Sequence, residues 1–199
     1  MPVSAIVLGG GRSIRMGRDK AALPFGPETM LARVVQAVQC VADDVVVVGG
    51  SRQRLPDGVR VVRVVPDLVE GLGPLAGLAT GLAAVRGERA LLLACDMPLV
   101  APALLQRMLE LAGDADACVP LVDGVPMTTC AAYATRVLPR AQEHLASGTR
   151  SLRALLTDVS VRWVTADQLR QVDPDLLSFW DCDTPEQYRA ALARAGFSG

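Results

Sequence analysis

Residues 5–8 form an unbroken apolar run that ends in three consecutive glycines, Gly9-Gly10-Gly11, followed by Arg12, Arg15, Arg18 and Lys20. A buried strand that stops at such a turn constrains everything after it. Without a Cβ, the backbone can approach a ligand that any side chain would hold off. The guanidinium and ammonium groups that follow suit a polyanion. Glycines and cations at the end of a first strand predict a phosphate-binding loop.

Two common phosphate loops do not fit. The dinucleotide fingerprint needs glycine at its first, third and sixth positions, and counting from Gly9 the sixth is Ile14. The P-loop needs Gly-Lys-Ser/Thr, whereas Lys20 lies between Asp19 and Ala21. The remainder of the chain still reads as α/β. Residues 29–39 carry Met30, Leu31, Val34, Val35 and Val38 at helical spacing. Residues 45–48, 61–65 and 90–95 read as buried strands, closed by Gly49-Gly50-Ser51, Pro66-Asp67 and Asp96-Met97-Pro98. Helices are expected from the glycines at 71–77 to about residue 86, and over 102–112. Buried strands alternating with helices predict a Rossmann-like, doubly wound, mostly parallel sheet in three α/β/α layers. In such sheets ligands gather at the carboxyl ends of the strands, where Gly9–Gly11, Ser51, Asp67 and Asp96 all fall.

The second half is less regular. Residues 117–121 and 127–133 flank Asp123-Gly124 as strand, turn and strand. Helices are expected over 134–146 and 151–157, and a strand over 159–164. Thr184 as N-cap, Pro185 at the first helical position and Glu186 in the first turn start a last helix running to about residue 195. No repeat or linker divides the chain, and 199 residues at 51% hydrophobic can bury the core of one domain, 1–199.

Charge and cysteine usage narrow the function. A net charge of −1 carries no footprint for nucleic acid or an acidic membrane. No apolar run approaches the ~20 residues of a membrane span, and the N-terminus lacks a signal-peptide pattern, so a cytoplasmic protein is expected. Cys40, Cys95, Cys118, Cys130 and Cys182 form no C-x-x-C pair, and His144 is the sole histidine, which argues against zinc. Most of the cysteines are expected to be small buried hydrophobes, and Trp163, Trp180 and Tyr133 to be core. Lys20 is the only lysine among twenty basic residues. A single lysine inside the loop suggests a need for a compact point charge.

Asp96 ends an apolar strand, where an uncompensated carboxylate is costly. It can serve as a turn former before Pro98 or as a ligand for magnesium, a hard cation that takes few carboxylates and lets phosphates complete its shell. Asp183 sits at a similar strand-to-helix junction, with Asp181 two residues before it. Gly73-Pro74-Leu75-Ala76-Gly77 allows either tight helix–sheet packing or close approach to a ligand.

Together these motifs resemble the MobA-like molybdenum-cofactor nucleotidyltransferases, from Leu8 to about Tyr188. The signature loop L-x-G-G-x-S-x-R-M-G-x-D-K is matched at Leu8, Gly10, Gly11, Ser13, Arg15, Met16, Gly17, Asp19 and Lys20. Cys95-Asp96-Met97-Pro98 matches C-D-x-P, residues 73–77 match a further family motif, and Gly148-Thr149-Arg150-Ser151-Leu152 matches G-x-R-x-L. Asp181-Cys182-Asp183-Thr184-Pro185 matches N-x-N-T-P only in part, with aspartate at both asparagine positions, and Met127-Thr128-Thr129 departs from the family's Q-P-L-type stretch.

The resemblance implies a nucleotide-diphospho-sugar-transferase-like fold, with a nucleotide-binding half to about residue 112 and an acceptor-binding half after it. It implies transfer of GMP from GTP to molybdopterin. Leu8, Gly9, Gly10, Gly11, Gly73 and Gly77 would line the nucleotide, with Ser51 and Asp67 on its base and ribose side. Arg15 and Lys20 would meet the departing pyrophosphate, and Asp96 with Asp183 would hold Mg²⁺. Arg150, Asp181 and Asp183 would face the acceptor. GTP and molybdopterin are the implied partners, with no nucleic acid or membrane, and with transient contact to proteins that deliver the cofactor or mature molybdoenzymes. Gly10, in place of the alanine usual in cytidylyl relatives, Asp19 before Lys20 and the 73–77 motif lean toward the guanylyl branch. A cytidylyl, sugar-phosphate or cobinamide-phosphate transferase, or a non-catalytic GTP-binding relative, is the alternative.

Overall fold

β1 (Val3–Leu8) has buried side chains on both faces, because the sheet in which it pairs with a parallel neighbour on either side is covered on both faces. A computed structural model of the chain describes residues 2–9, 19–49, 62–66 and 73–197. After a 3-10 turn at Lys20–Ala22, β2 (Pro24–Phe25) and β3 (Glu28–Thr29) form a small hairpin. Its turn uses Gly26 at φ +66°, where a side chain would be strained. The Thr29 hydroxyl accepts from the Ala32 amide at 3.2 Å and starts α1 (Met30–Gln39). All five apolar positions read from the periodicity are buried on this helix.

β4 (Asp44–Val48) and β5 (Val62–Val65) extend the sheet on one side of β1, and β6 (Arg89–Ala94) on the other. α2 (Pro74–Ala84) lies over β1, and glycines set the distance of approach. A Cβ on Gly77 would come within 2.6 Å of Leu8 Cδ2, and one on Gly81 within 2.5 Å of Ile6 Cγ2. After α3 (Pro102–Ala112), β7 (Ala117–Val122) turns at Asp123 and Gly124, both at positive φ, into β8 (Val125–Pro126). Two such residues make the hairpin turn whose twist matches that of the strands. The chain leaves the ladder at 127–129 and rejoins it as β9 (Cys130–Ala134), antiparallel to both β6 and β7. α4 (Leu138–Ala146), α5 (Leu152–Leu155), β10 (Val161–Thr165), α6 (Ala166–Arg170) and α7 (Pro185–Arg194) complete the described elements.

Among the described residues the sheet has eight strands, in the order β10-β7-β9-β6-β1-β4-β5 with β8 beside β7. α1, α3 and α6 cover one face and α2, α4 and α5 the other, giving three α/β/α layers. α7 packs on neither face. Its Ala191 and Leu192 join Leu23, Phe25 and Met30 in a separate cluster with the hairpin. No described helix is long and apolar enough to cross a membrane.

The structure corrects several local readings. The strand expected over 127–133 begins at Cys130, and Ala134 closes it rather than opening a helix. The following helix waits for Leu138, where Pro139 lies in its first turn and needs no intrahelical donor. The first-half helix ends at Ala84 rather than about residue 86, and the strand expected over 159–164 spans Val161–Thr165. The β2–β3 hairpin and α6 were not expected. Trp163 is 44% exposed on the edge strand β10 rather than core, and Trp180 is partly buried with Arg194 stacked 4.1 Å from its ring centroid. Tyr133 is fully buried and donates its hydroxyl to the Thr128 carbonyl at 2.9 Å. Cys95, Cys118, Cys130 and Cys182 are buried as expected, whereas Cys40 is exposed.

Candidate functional site

Parallel register brings the site elements to one edge of the sheet. Leu8 lies opposite Val48 on one side and Ala94 on the other, so β1, β4 and β6 end together. The ladder continues one residue further: Gly9 donates to the Val48 carbonyl at 2.8 Å, Gly49 to Val65 at 3.1 Å, and Cys95 to Leu8 at 3.1 Å. Asp96 therefore emerges directly beside the start of the glycine loop. The Gly9 N–H is taken up by Val48. Gly10, Gly11, Arg15, Ser51 and Asp67 lie outside the described residues.

Lys20 follows the glycine loop in sequence. The Asp19 side chain caps the 3-10 turn by accepting from the Ala21 amide at 3.0 Å, and Ala21 is buried beneath it. This fixes the backbone from which the lysine side chain leaves. Asp183 arrives from the other end of the chain. The Cys182 amide donates to the Asp96 carbonyl at 2.9 Å, tying the two acidic segments together. Thr184 and Gln187 form a capping box at the start of α7, and Gln187 Oε1 accepts from the amides of Asp183 at 3.1 Å and Thr184 at 2.9 Å. Phe25 is buried in edge contact with Tyr188 and Phe197, at centroid distances of 6.4 and 5.7 Å, and the Tyr188 hydroxyl donates to the Pro24 carbonyl. The β2–β3 hairpin thus carries α7, and α7 carries Asp183.

These supports converge on one ammonium. Lys20 Nζ donates to Asp96 Oδ2 at 2.9 Å and to Asp183 Oδ1 at 2.5 Å. The lysine side chain is 14% exposed, against 20% for Asp96 and 46% for Asp183. Burial works against the lysine's charge, but the hydrogen bonds to Asp183 and Asp96 outweigh it and hold its pKa above the ordinary value. Asp181, nearby, is pushed up by burial and by the charges of Asp183 and Asp96. Burial raises the Cys95 and Cys182 thiols to about 12, reinforced by Asp96. They stay protonated at neutral pH, which makes them poor nucleophiles. The centre is accordingly built from hard oxygens and one compact cation.

A second pair of expected residues meets along the same chain. Gly73, at φ +80°, caps α2, and a Cβ there would lie 3.4 Å from the Arg150 carbonyl oxygen. The backbone of Arg150 therefore crosses over the start of α2, with the residue itself exposed. Gly77 is buried against Leu8, so its evident contribution is close packing of α2 on β1. Sequence reasoning passed over Gln187, Tyr188 and Phe25. Thr184-x-x-Gln187 was a readable capping-box signal, whereas nothing local marked Phe25 as the anchor of a helix far along the chain.

The family model of the MobA-like NTP transferase domain matches residues 5–172. The chain is 32% identical to the probable molybdenum cofactor guanylyltransferase of Pelotomaculum thermopropionicum over 98% of its length and 94% of that protein's. It is 33% identical to the molybdenum cofactor guanylyltransferase of Desulfosudis oleivorans, over 96% of this chain and 95% of that one. The crystal structure of molybdopterin-guanine dinucleotide biosynthesis protein A from Archaeoglobus fulgidus superposes with a TM-score of 0.81 at 25% identity, covering 98% of this chain and 99% of the other.

Proposed function

The chain belongs to the MobA-like NTP transferase family, and on that premise we propose that it transfers GMP from GTP to the terminal phosphate of molybdopterin. The products are molybdopterin guanine dinucleotide and pyrophosphate. The observation that carries this reading is the contact of Lys20 with Asp96 and Asp183 at the sheet edge where the glycine loop begins.

The attacking group needs no dedicated base. A phosphate monoester has its second pKa near ~6, so its oxygen is already ionised at neutral pH. The barrier is the repulsion between that anion and an anionic triphosphate. Positioning and positive charge are what the protein must supply. In this reading Arg15 and Lys20 meet the leaving pyrophosphate. Gly9, Gly10 and Gly11 give the nucleotide room, and Ser51 and Asp67 face its base and ribose. Gly73 and Gly77 stay with the nucleotide, and Arg150, Asp181 and Asp183 would face the acceptor.

Asp96 and Asp183 fit a magnesium ion by donor chemistry. They are two hard carboxylates that already converge on a single cation, and magnesium is commonly held by one or two carboxylates plus substrate phosphates. Bound there, the ion would supply charge neutralisation on the phosphates.

Pyrophosphate release measured with each nucleoside triphosphate and each candidate acceptor tests the proposal. Release is expected only with GTP and molybdopterin together. Turnover with CTP, or with a sugar phosphate or cobinamide phosphate as acceptor, would overturn the guanylyl assignment. GTP binding that is indifferent to Mg²⁺, with no turnover, would identify a non-catalytic relative.

A further inference from the structure

Among the described residues at the centre, two carboxylates, Asp96 and Asp183, pair with one ammonium, and a third, Asp181, lies close enough to feel the charges of all three. Those described charges sum to a negative balance, with Arg12, Arg15 and Arg18 lying outside the described residues. Lys20, the only lysine in the chain, is also turned inward: its hydrogen-bond partners among the described residues are both carboxylates, and only 14% of its side chain is exposed. A lysine held between two acids cannot simultaneously offer its three donors to a phosphate.

We propose that Lys20 is an internal counterion that the divalent metal displaces: the metal enters between Asp96 and Asp183, and the released ammonium becomes available to the nucleotide phosphates. The inference rests on the metal assignment made above and adds an order of events to it. The ammonium and the metal compete for the same two carboxylates, so neither can be fully engaged there while the other is. Nucleotide phosphates take the lysine out of the competition, and the metal does the same for the phosphates. Metal and GTP each strengthen the other's binding, by the same factor in both directions. Asp183 is essential to the device. Asparagine at this position would accept a hydrogen bond but would neither pair with an ammonium as an ion nor hold the metal as a charged ligand.

The test measures Mn²⁺ binding by electron paramagnetic resonance, without acceptor, in the wild-type chain, Lys20→Met and Asp183→Asn. Removing the competing charge should tighten Mn²⁺ binding to Lys20→Met by about tenfold or more, equivalent to about 1.4 kcal/mol, while weakening GTP. Asp183→Asn should weaken Mn²⁺. A purely structural role for Lys20 would not move the two ligands in opposite directions. Mn²⁺ affinity unchanged or lowered in Lys20→Met, with Asp183→Asn still weakened, would overturn the displacement and leave the metal assignment standing. Mn²⁺ affinity unaffected by either substitution would overturn both. Because the chain has one lysine, ¹³C,¹⁵N-lysine labelling gives one side-chain signal in the unmutated protein, so the test survives a variant that fails to fold. Mg²⁺ alone should move that signal saturably, and GTP should move it again. A signal unmoved at Mg²⁺ concentrations that saturate the Mn²⁺ site would overturn the proposal.

Discussion

Substituting Gly81 by alanine tests whether the closeness of α2 to the sheet is a requirement or an accident. The new Cβ would lie 2.5 Å from Ile6 Cγ2 and 2.7 Å from both Cγ1 and Cδ1. Ile6 is fully buried in the central strand, and its branched side chain is stiff about χ1, so it cannot swing aside. Overpacking of this kind costs about 1–3 kcal/mol, and the better helix propensity of alanine returns about 1 kcal/mol. With three Ile6 atoms inside 3 Å the upper part of that range applies, so a net loss of about 1–2 kcal/mol is expected, or about 2–8 °C in Tm for a chain of this size. Gly77→Ala is the internal control. Its Cβ would meet only Leu8 Cδ2 closely, at 2.6 Å, with the next atoms at 3.7 Å. Leu8 is only partly buried, and its terminal methyl can rotate away, so Gly77→Ala should be neutral or stabilising by up to about 1 kcal/mol. Urea denaturation followed by far-UV circular dichroism reads both variants. If Gly81→Ala matches the wild-type chain, or Gly77→Ala is the weaker of the two, the packing argument is wrong.

Two further outcomes follow from contacts away from the loop. The Asp44 carboxylate accepts from the Arg86 amide at 2.8 Å, Arg63 Nη2 at 2.6 Å and Ser4 Oγ at 2.9 Å; burial opposes its charge, but these bonds prevail and hold its pKa below the usual range. Its stabilisation is therefore present above the ordinary carboxylate range and lost as pH falls through the lowered native value. Asp44→Ala should cost about 1–3 kcal/mol at pH 7, with the gap to wild type narrowing in acid; a gap constant down to pH ~3 would contradict this. Phe25→Ala should cost about 3–5 kcal/mol by emptying the space between Tyr188 and Phe197, read as a lowered urea midpoint. A loss below about 1 kcal/mol would mean that α7 is held elsewhere.

The parts of this molecule legible in the sequence are those governed by neighbours along the chain. The apolar runs at 45–48 and 90–95, the periodicity of α1 and the Thr184-Pro185 start of α7 each declare themselves locally, and each lies where it was expected to within a residue or so. The Asp123-Gly124 turn was equally plain, yet nothing near it says that β9 will insert between β7 and β6 and interrupt the parallel order. The β2–β3 hairpin has strands of two residues, too short to alternate visibly. Trp163 reads as core in the sequence, but β10 is an edge strand and leaves it exposed. At the site, Lys20, Asp96 and Asp183 stood out as residues. Their arrangement as one cation between two acids is tertiary, set by α7 folding back onto the hairpin.

That return path has a consequence for how the protein is made. The glycine loop, Lys20 and Asp96 leave the ribosome early, and β1, β4 and β6 can begin pairing around them. Asp183 and the helix that carries it are translated only after every described strand of the sheet. A nascent chain thus passes through a stage in which its framework is assembled while the second acid is still inside the exit tunnel. Until that acid is delivered, Lys20 lacks one of its two carboxylate partners, and the packing of α7 against Phe25 is what brings it into place.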